Sequence, residues 1–185
     1  MELHKKLKKK IRVVNNWPVR GVAFQDLNPV ISDRDLFLPI VGRLAYEIRL
    51  IASDPELRSY TQIKVAGIEA RGFTWGAAVA YELGSSFVPI RKMDKIPPST
   101  VNGYTHVRSE YSETDLVLPS SCIKKGEYVV LIDDVLATGQ TALGAINLLK
   151  WAGANVLGAM FVLRIKKLSG EQAFQDIRHF SLLDV

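Results

Sequence analysis

The chain has 185 residues, 48% hydrophobic and 23% charged, enough for one domain with a buried core. No apolar run approaches the roughly 20 residues that span a bilayer, and the charged N-terminus MELHKKLKKKIRVV lacks a signal peptide's apolar core, so a soluble, cytoplasmic protein with no membrane partner is expected. The single cysteine, Cys122, excludes an intrachain disulfide and a thiolate metal cluster, while the net charge of +5 favours anionic partners without choosing among them.

In chain order, a first helix is expected over residues 3 to 14, where Leu3, Leu7, Ile11 and Val14 alternate at helical spacing with Lys5, Lys6, Lys8, Lys9, Lys10 and Arg12. Its basic side reads as a solvated face, and no nucleic-acid partner is expected. The following NNWPVRGVAFQDLNPVIS, with Pro18, Gly21 and Pro29, argues against regular structure. A periodic helix near 35 to 53 places Phe37, Ile40, Val41, Leu44, Ala45, Ile48, Ile51 and Ala52 on one face. Ser32 with Asp35 resembles a capping box, and Pro39 then demands a later start or a kink.

Next, QIKVAGIE reads as a buried strand, RGFTWGAAVAYELG as a helix closed by Gly84, and SFVPIRK as a second strand. Residues 93 to 113 are rich in turn formers and charges and too long for an idle connection; a flexible lid is expected, or else a hairpin turning at Asn102-Gly103. YVVLID is a strand, residues 139 to 152 a helix ending before Gly153, and NVLGAMFVLRI another strand. Strands alternating with helices predict a single α/β domain over residues 1 to 185, with a central, twisted, mostly parallel sheet flanked by helices.

The stretch VVLIDDVLATGQT, residues 129 to 141, concentrates the chemistry. In a parallel sheet the ligand site lies beyond the carboxyl ends of the strands, so Asp133 and Asp134 reach its mouth. Adjacent carboxylates raise each other's pKa and become tolerable when the site supplies hydroxyl donors, a cation, or both. Ala137, Thr138, Gly139, Gln140 and Thr141 form a small polar loop opening a helix, whose free N–H groups suit a phosphate. Carboxylates for a sugar diol and a cradle for its phosphate describe a phosphosugar site. The run is neither a Walker loop nor a dinucleotide fingerprint.

The same stretch resembles the phosphoribosyl-pyrophosphate motif of the type I phosphoribosyltransferases. Among these, the adenine-specific enzymes are the most similar. WPVRGVAFQDLNP, residues 17 to 29, resembles their hood motif, GIEARGF at 67 to 73 their pyrophosphate loop, RKMDKIPPST the start of their flexible loop, SEYS their catalytic-loop signature, and FSLL at 180 to 183 their C-terminal ending. The resemblance implies an N-terminal helix and hood over residues 1 to 34 and assigns Asp133 and Asp134 to the ribose hydroxyls, residues 137 to 141 to the 5-phosphate, and Glu69, Ala70 and Arg71 to pyrophosphate. It also implies a cis Glu69-Ala70 peptide bond. Arg91 and Lys95 are implied as further pyrophosphate ligands in the same chain or a partner chain. Adenine would lie between Phe24 and Leu136, its edge read by the backbone of Ala23 and by Gln25.

The implied reaction joins adenine to 5-phosphoribosyl 1-pyrophosphate, giving AMP and pyrophosphate, with Mg²⁺ held mainly by substrate, Glu110 moving the proton, and a homodimer as the working form. Three departures stand out: Gln140 at a position commonly glycine, Ser109-Glu110-Tyr111-Ser112 where Leu-Glu-Tyr-Gly is usual, and a slightly longer loop before it. A transferase for 6-oxopurines, or a purine-responsive regulator on the same fold, are the alternative readings.

Overall fold

The structure, a computed structural model, describes residues 2–52, 62–107, 115–174 and 176–185. Helix α1 (Glu2–Lys10) leads into a two-stranded antiparallel ribbon of β1 (Arg12–Asn15) and β2 (Ala23–Asp26). The amphipathic pattern thus runs as helix only to Lys10. Leu7 is fully buried and Leu3 and Ile11 pack on the core, but Val13 and Val14 pair across to Gln25 and Phe24. Residues 15 to 32 are also more regular than their prolines suggest, because Ala23 to Asp26 find ladder partners in β1 and Pro29 sits in the first turn of a short helix, α2 (Asn28–Ile31), where its missing N–H costs nothing.

Helix α3 (Arg34–Ile51) is capped by Asp33, whose side chain accepts from the Asp35 amide at 3.1 Å, and not by Ser32. The helix starts ahead of Pro39 and contains it. Its buried stripe is Leu36, Ile40, Val41, Leu44, Ala45, Ile48 and Ile51, with Phe37 half-buried beside it.

The central sheet has seven strands in the order β5-β6-β4-β3-β7-β8-β9, namely β3 (Ile63–Ile68), β4 (Phe87–Lys92), β5 (Tyr104–Val107), β6 (Leu116–Pro119), β7 (Tyr128–Leu136), β8 (Asn155–Arg164) and β9 (His179–Asp184). Strands β4, β3, β7, β8 and β9 run parallel, while β6 and β5 add an antiparallel edge. Helix α4 (Arg71–Leu83), closed by Gly84 at φ 62°, packs with α1 and α3 on one face; α5 (Gln140–Trp151) covers the other. Two apolar layers result. One joins Leu7, Leu44, Trp75 and Ile132; the other joins Leu118, Leu131, Ile146 and Phe161. Strands buried on both faces must be apolar throughout, which is why the centres of β7 and β8 show no polar alternation.

The segment read as a lid is partly built into this sheet. Met93–Lys95 and Pro98–Gly103 are 3₁₀ turns and β5 pairs with β6, so Asn102-Gly103 enters a strand and does not turn a hairpin. Ser109, Glu110, Tyr111 and Ser112 lie outside the described residues. Among the described residues no helix is long and apolar enough to cross a membrane.

One buried carboxylate closes the ribbon and its exit into α2. Asp26 Oδ2 accepts from Arg12 Nε at 2.9 Å and from its terminal nitrogen, and Oδ1 accepts from the Asn28 amide at 2.9 Å. The Asn28 amide, followed by Arg12, holds the Asp26 carboxyl below its ordinary pKa. A depressed folded pKa contributes stability above the unfolded value that is lost as pH falls through the folded one. Asp26→Ala is therefore expected to cost about 1–3 kcal/mol near neutrality, and the deficit should shrink below about pH 4, as thermal unfolding across a pH series would measure.

Candidate active site

Strands β3 and β7 are parallel neighbours with Gly67 opposite Ile132, so their carboxyl ends open side by side. From β3 the chain passes through Glu69-Ala70, joined by a cis peptide bond as expected, directly into α4. Gly72 allows that helix start to press on β7: a Cβ there would lie 2.9 Å from the Ile132 carbonyl oxygen and 3.0 Å from Asp133 Oδ1.

A cleft of about 360 Å³ opens at this junction, lined by Glu69, Ala70, Arg71, Asp133, Asp134, Ala137, Thr138, Gly139 and Thr141, with Lys92 at its side. Asp133 Oδ1 accepts from the Asp134 amide at 2.9 Å. Burial, reinforced by the neighbouring Asp134, pushes the Asp133 carboxyl well above its usual range. Burial also raises Asp134, opposed by Arg71, whose Nε lies 3.0 Å from Asp134 Oδ2 without the direction of a hydrogen bond. The carboxylates are not at the end of a strand that stops before them, because β7 continues through both to Leu136.

Beyond them the chain turns through Gly139 at φ 80° into α5, which no side chain caps. Its first-turn amides therefore remain available to an anion. A Cβ on Gly139 would lie 2.1 Å from the Gly170 carbonyl oxygen, so only glycine allows this turn to seat. Within residues 137 to 141, Gln140 alone does not line the cleft; its Oε1 is buried and unpartnered. Its departure from glycine falls on the side of the loop away from the cleft.

A second, mostly apolar cleft of about 350 Å³ adjoins the first, lined by Gly21, Val22, Ala23, Phe24, Gln25, Arg71, Val135, Ala137, Ile165, Lys167 and Leu168. Phe24 is held edge-on by Trp17 at 4.5 Å between centroids, and the Arg71 guanidinium lies 4.9 Å from its centroid. Arg71 also donates to the Gln25 carbonyl at 3.5 Å, so one side chain borders both clefts. The Gln25 side chain donates to the Ala23 carbonyl at 3.1 Å.

Within this chain, three expected site residues do not line the cleft expected for them. Leu136 is 1% exposed, packs in the α5-side core and lines the polar cleft, while the strand residue lining Phe24's cleft is Val135, because successive strand residues point to opposite faces. Arg91 is drawn to Glu69 Oε1 at 3.5 Å, while Glu69 Oε2 accepts from the Lys92 amide at 3.0 Å; the β4 cation lining the cleft is Lys92. Lys95 is exposed, 3.3 Å from Asp94, and outside both clefts of its own chain. Ile165, Lys167 and Leu168 went unanticipated, and their only signal was position just after β8, at the carboxyl edge of the sheet.

Residues 31–183 match the phosphoribosyl transferase domain family. The adenine phosphoribosyltransferase of Methylorubrum populi is 39% identical over 174 residues, 94% of this chain and 90% of that protein. The crystal structure of adenine phosphoribosyltransferase from Thermoanaerobacter pseudethanolicus superposes with a TM-score of 0.83 at 29% identity, covering 98% of this chain and 99% of that one. The Saccharomyces cerevisiae adenine phosphoribosyltransferase, solved with an imino-altritol bisphosphate and adenine, gives a TM-score of 0.79 at 28% identity, covering 98% of this chain and 99% of that one. Relatedness over nearly the full length, on a fold whose strand ends carry the paired carboxylates and phosphate loop, makes this chain a member of the phosphoribosyl transferase domain family and, within it, of the adenine phosphoribosyltransferases.

Proposed function

We propose that the polar cleft binds 5-phosphoribosyl 1-pyrophosphate, that the apolar cleft binds adenine, and that the chain transfers the phosphoribosyl group to adenine N9 to give AMP and pyrophosphate, a purine salvage reaction. The observation that carries this reading is the junction of the two clefts at Arg71, Val135 and Ala137. A sugar held by Asp133-Asp134, with its 5-phosphate on residues 137 to 141, presents its anomeric carbon toward the Phe24 slot.

Each subsite has the chemistry its ligand requires. Paired carboxylates accept hydrogen bonds from two adjacent hydroxyls, and this gain offsets their burial together. The amides of Thr138, Gly139 and Thr141 suit a dianionic phosphate. Phe24 and Val135 offer flat apolar walls to a purine, and hood carbonyls can accept from its amino group. As the C1–O bond breaks, negative charge grows on the departing pyrophosphate, where Arg71, Lys92 and the amides near Ala70 gain most. The purine nitrogen attacks from the opposite face, with inversion at C1.

Mg²⁺ fits as an ion carried by substrate. Among the described residues no group of three or more potential ligands could cage a metal, and Mg²⁺ keeps waters and takes phosphate oxygens readily. Asp133 and Asp134 would hold its hydrated face, and the ion would supply charge neutralisation on the pyrophosphate.

The decisive assay offers adenine, hypoxanthine, guanine and xanthine with phosphoribosyl pyrophosphate and Mg²⁺ and follows nucleotide formation. AMP alone is expected; a 6-oxopurine product without AMP would overturn the base assignment. In the same format, Asp133→Asn and Asp134→Asn should each weaken donor binding by about 1.5–3 kcal/mol, measured by calorimetric titration of folded protein.

Glu110 is proposed to move the proton that adenine must lose from N9 or gain at N7. Glu110→Gln keeps the size and removes the titrating group, so the chemical step should slow by roughly 10²–10⁴ with donor affinity retained. An undiminished single-turnover rate would remove that role. We also propose a homodimer, supported by the apolar surface left open at Leu38 and Tyr46 on α3 and Tyr81 on α4, which are 54%, 50% and 90% exposed. Sedimentation at assay concentration is expected to give twice the chain mass, and an active monomer would refute it.

A further inference from the structure

We propose that residues 164 to 171 act as one strut that positions the purine and 5-phosphate subsites together, with Arg164 as its positioning residue; the inference rests on the ligand assignment above. The strut touches both subsites. Ile165, Lys167 and Leu168 form one wall of the apolar cleft. Five residues after Ile165, Gly170 meets the phosphate loop backbone to backbone: a Cβ on Gly139 would lie 2.1 Å from Gly170 O, and a Cβ on Gly170 would lie 2.2 Å from Ala137 O. Contacts this close leave no slack, so a displaced strut displaces the loop.

Arg164 lines neither cleft. Its Nε and one terminal nitrogen donate to the two carboxylate oxygens of Asp184, both at 2.8 Å, and its other terminal nitrogen lies 3.5 Å from Glu171 Oε1. The planar fork therefore ties the start of the strut to its far end and to the last strand. The near end is fixed further by the Ile165 amide donating to the Leu136 carbonyl at 2.9 Å, and by Lys166, whose amide donates to the Val185 carbonyl at 2.9 Å and whose ammonium lies 3.3 Å from Asp184. Lysine at 164 could not hold Asp184 bidentately while also reaching Glu171. The pyrophosphate side stands on different elements, β3 and α4, and is an internal control.

The test titrates ribose 5-phosphate, adenine and magnesium pyrophosphate separately into the full chain and into Arg164→Met, Arg164→Lys and Asp184→Asn. Arg164→Met and Asp184→Asn are expected to weaken ribose 5-phosphate and adenine each by roughly 10-fold, short of the 10² that an ångström of misplacement can cost, while pyrophosphate affinity stays put and Arg164→Lys falls between. Asp184→Asn keeps the partner's shape, so the outcome does not hang on the folding of one variant. Equal losses for all three probes, loss of only one of the first two, or no loss would overturn the strut. Wild-type protein that binds none of the probes would instead take down the ligand assignment and the strut with it.

Discussion

Two carboxylates on consecutive residues of a buried parallel strand repel each other at the place where both lose hydration, and much of the surrounding structure answers that penalty. Asp134 is 2% exposed and Asp133 is half-buried in the cleft, both raised in pKa chiefly by burial. A core strand would be more stable with apolar residues at these positions. What offsets the penalty in the free protein is modest: the Asp134 amide on Asp133, and Arg71 beside Asp134. On the proposed reading, a ligand carrying hydroxyls, a cation, or both would supply the remaining stabilisation, which is how a binding site differs from a salt bridge.

Arg71 relieves that repulsion from the first residue of α4, and it also borders the apolar cleft through Phe24 and the Gln25 carbonyl. Its position depends on backbones brought closer than side chains would allow. Gly67 admits the Gly72 carbonyl at 2.7 Å from where a Cβ would be, and Gly72 in turn admits β7. The same device recurs where Gly139 meets Gly170. The site is thus built from backbone contacts between neighbouring strand ends, and such contacts transmit displacement more faithfully than flexible side chains do.

The parallel centre of the fold was legible because its signal is strong. β3, β4, β7 and β8 are short apolar runs closed by turn residues, and α3, α4 and α5 carry the helical period. The elements that escaped are those whose regularity comes from a partner. β1 and β2 are exposed four-residue strands that exist because they pair with each other, with Arg12 and Asp26 closing the ribbon. β5 and β6 likewise form an antiparallel edge beside a stretch whose prolines and glycine suggest a lid or a hairpin turning elsewhere, at Asn102-Gly103. In such segments local propensity is weak and tertiary pairing decides the outcome.

Asp133, Asp134 and Arg71 line the polar cleft as their motifs suggested, whereas on β4 and at the end of β7 the segment was legible and the side was not. Leu136 lines the polar cleft while its neighbour Val135 also lines the apolar one, and on β4 it is Lys92 and not Arg91 that lines the polar cleft, because one position along a strand exchanges one face for the other. Sequence similarity identifies the segment; only the pleat assigns the side. Gln140 illustrates the converse. Its side chain differs from the glycine usual at its position, yet it is the one member of its loop that does not line the cleft, so the loop can offer its amides to a phosphate while that side chain varies. A substitution in such a loop therefore bears on the cleft only after the direction of its side chain is known, and here the residues that line the adjoining apolar cleft are those of β2, Val135 and the segment after β8.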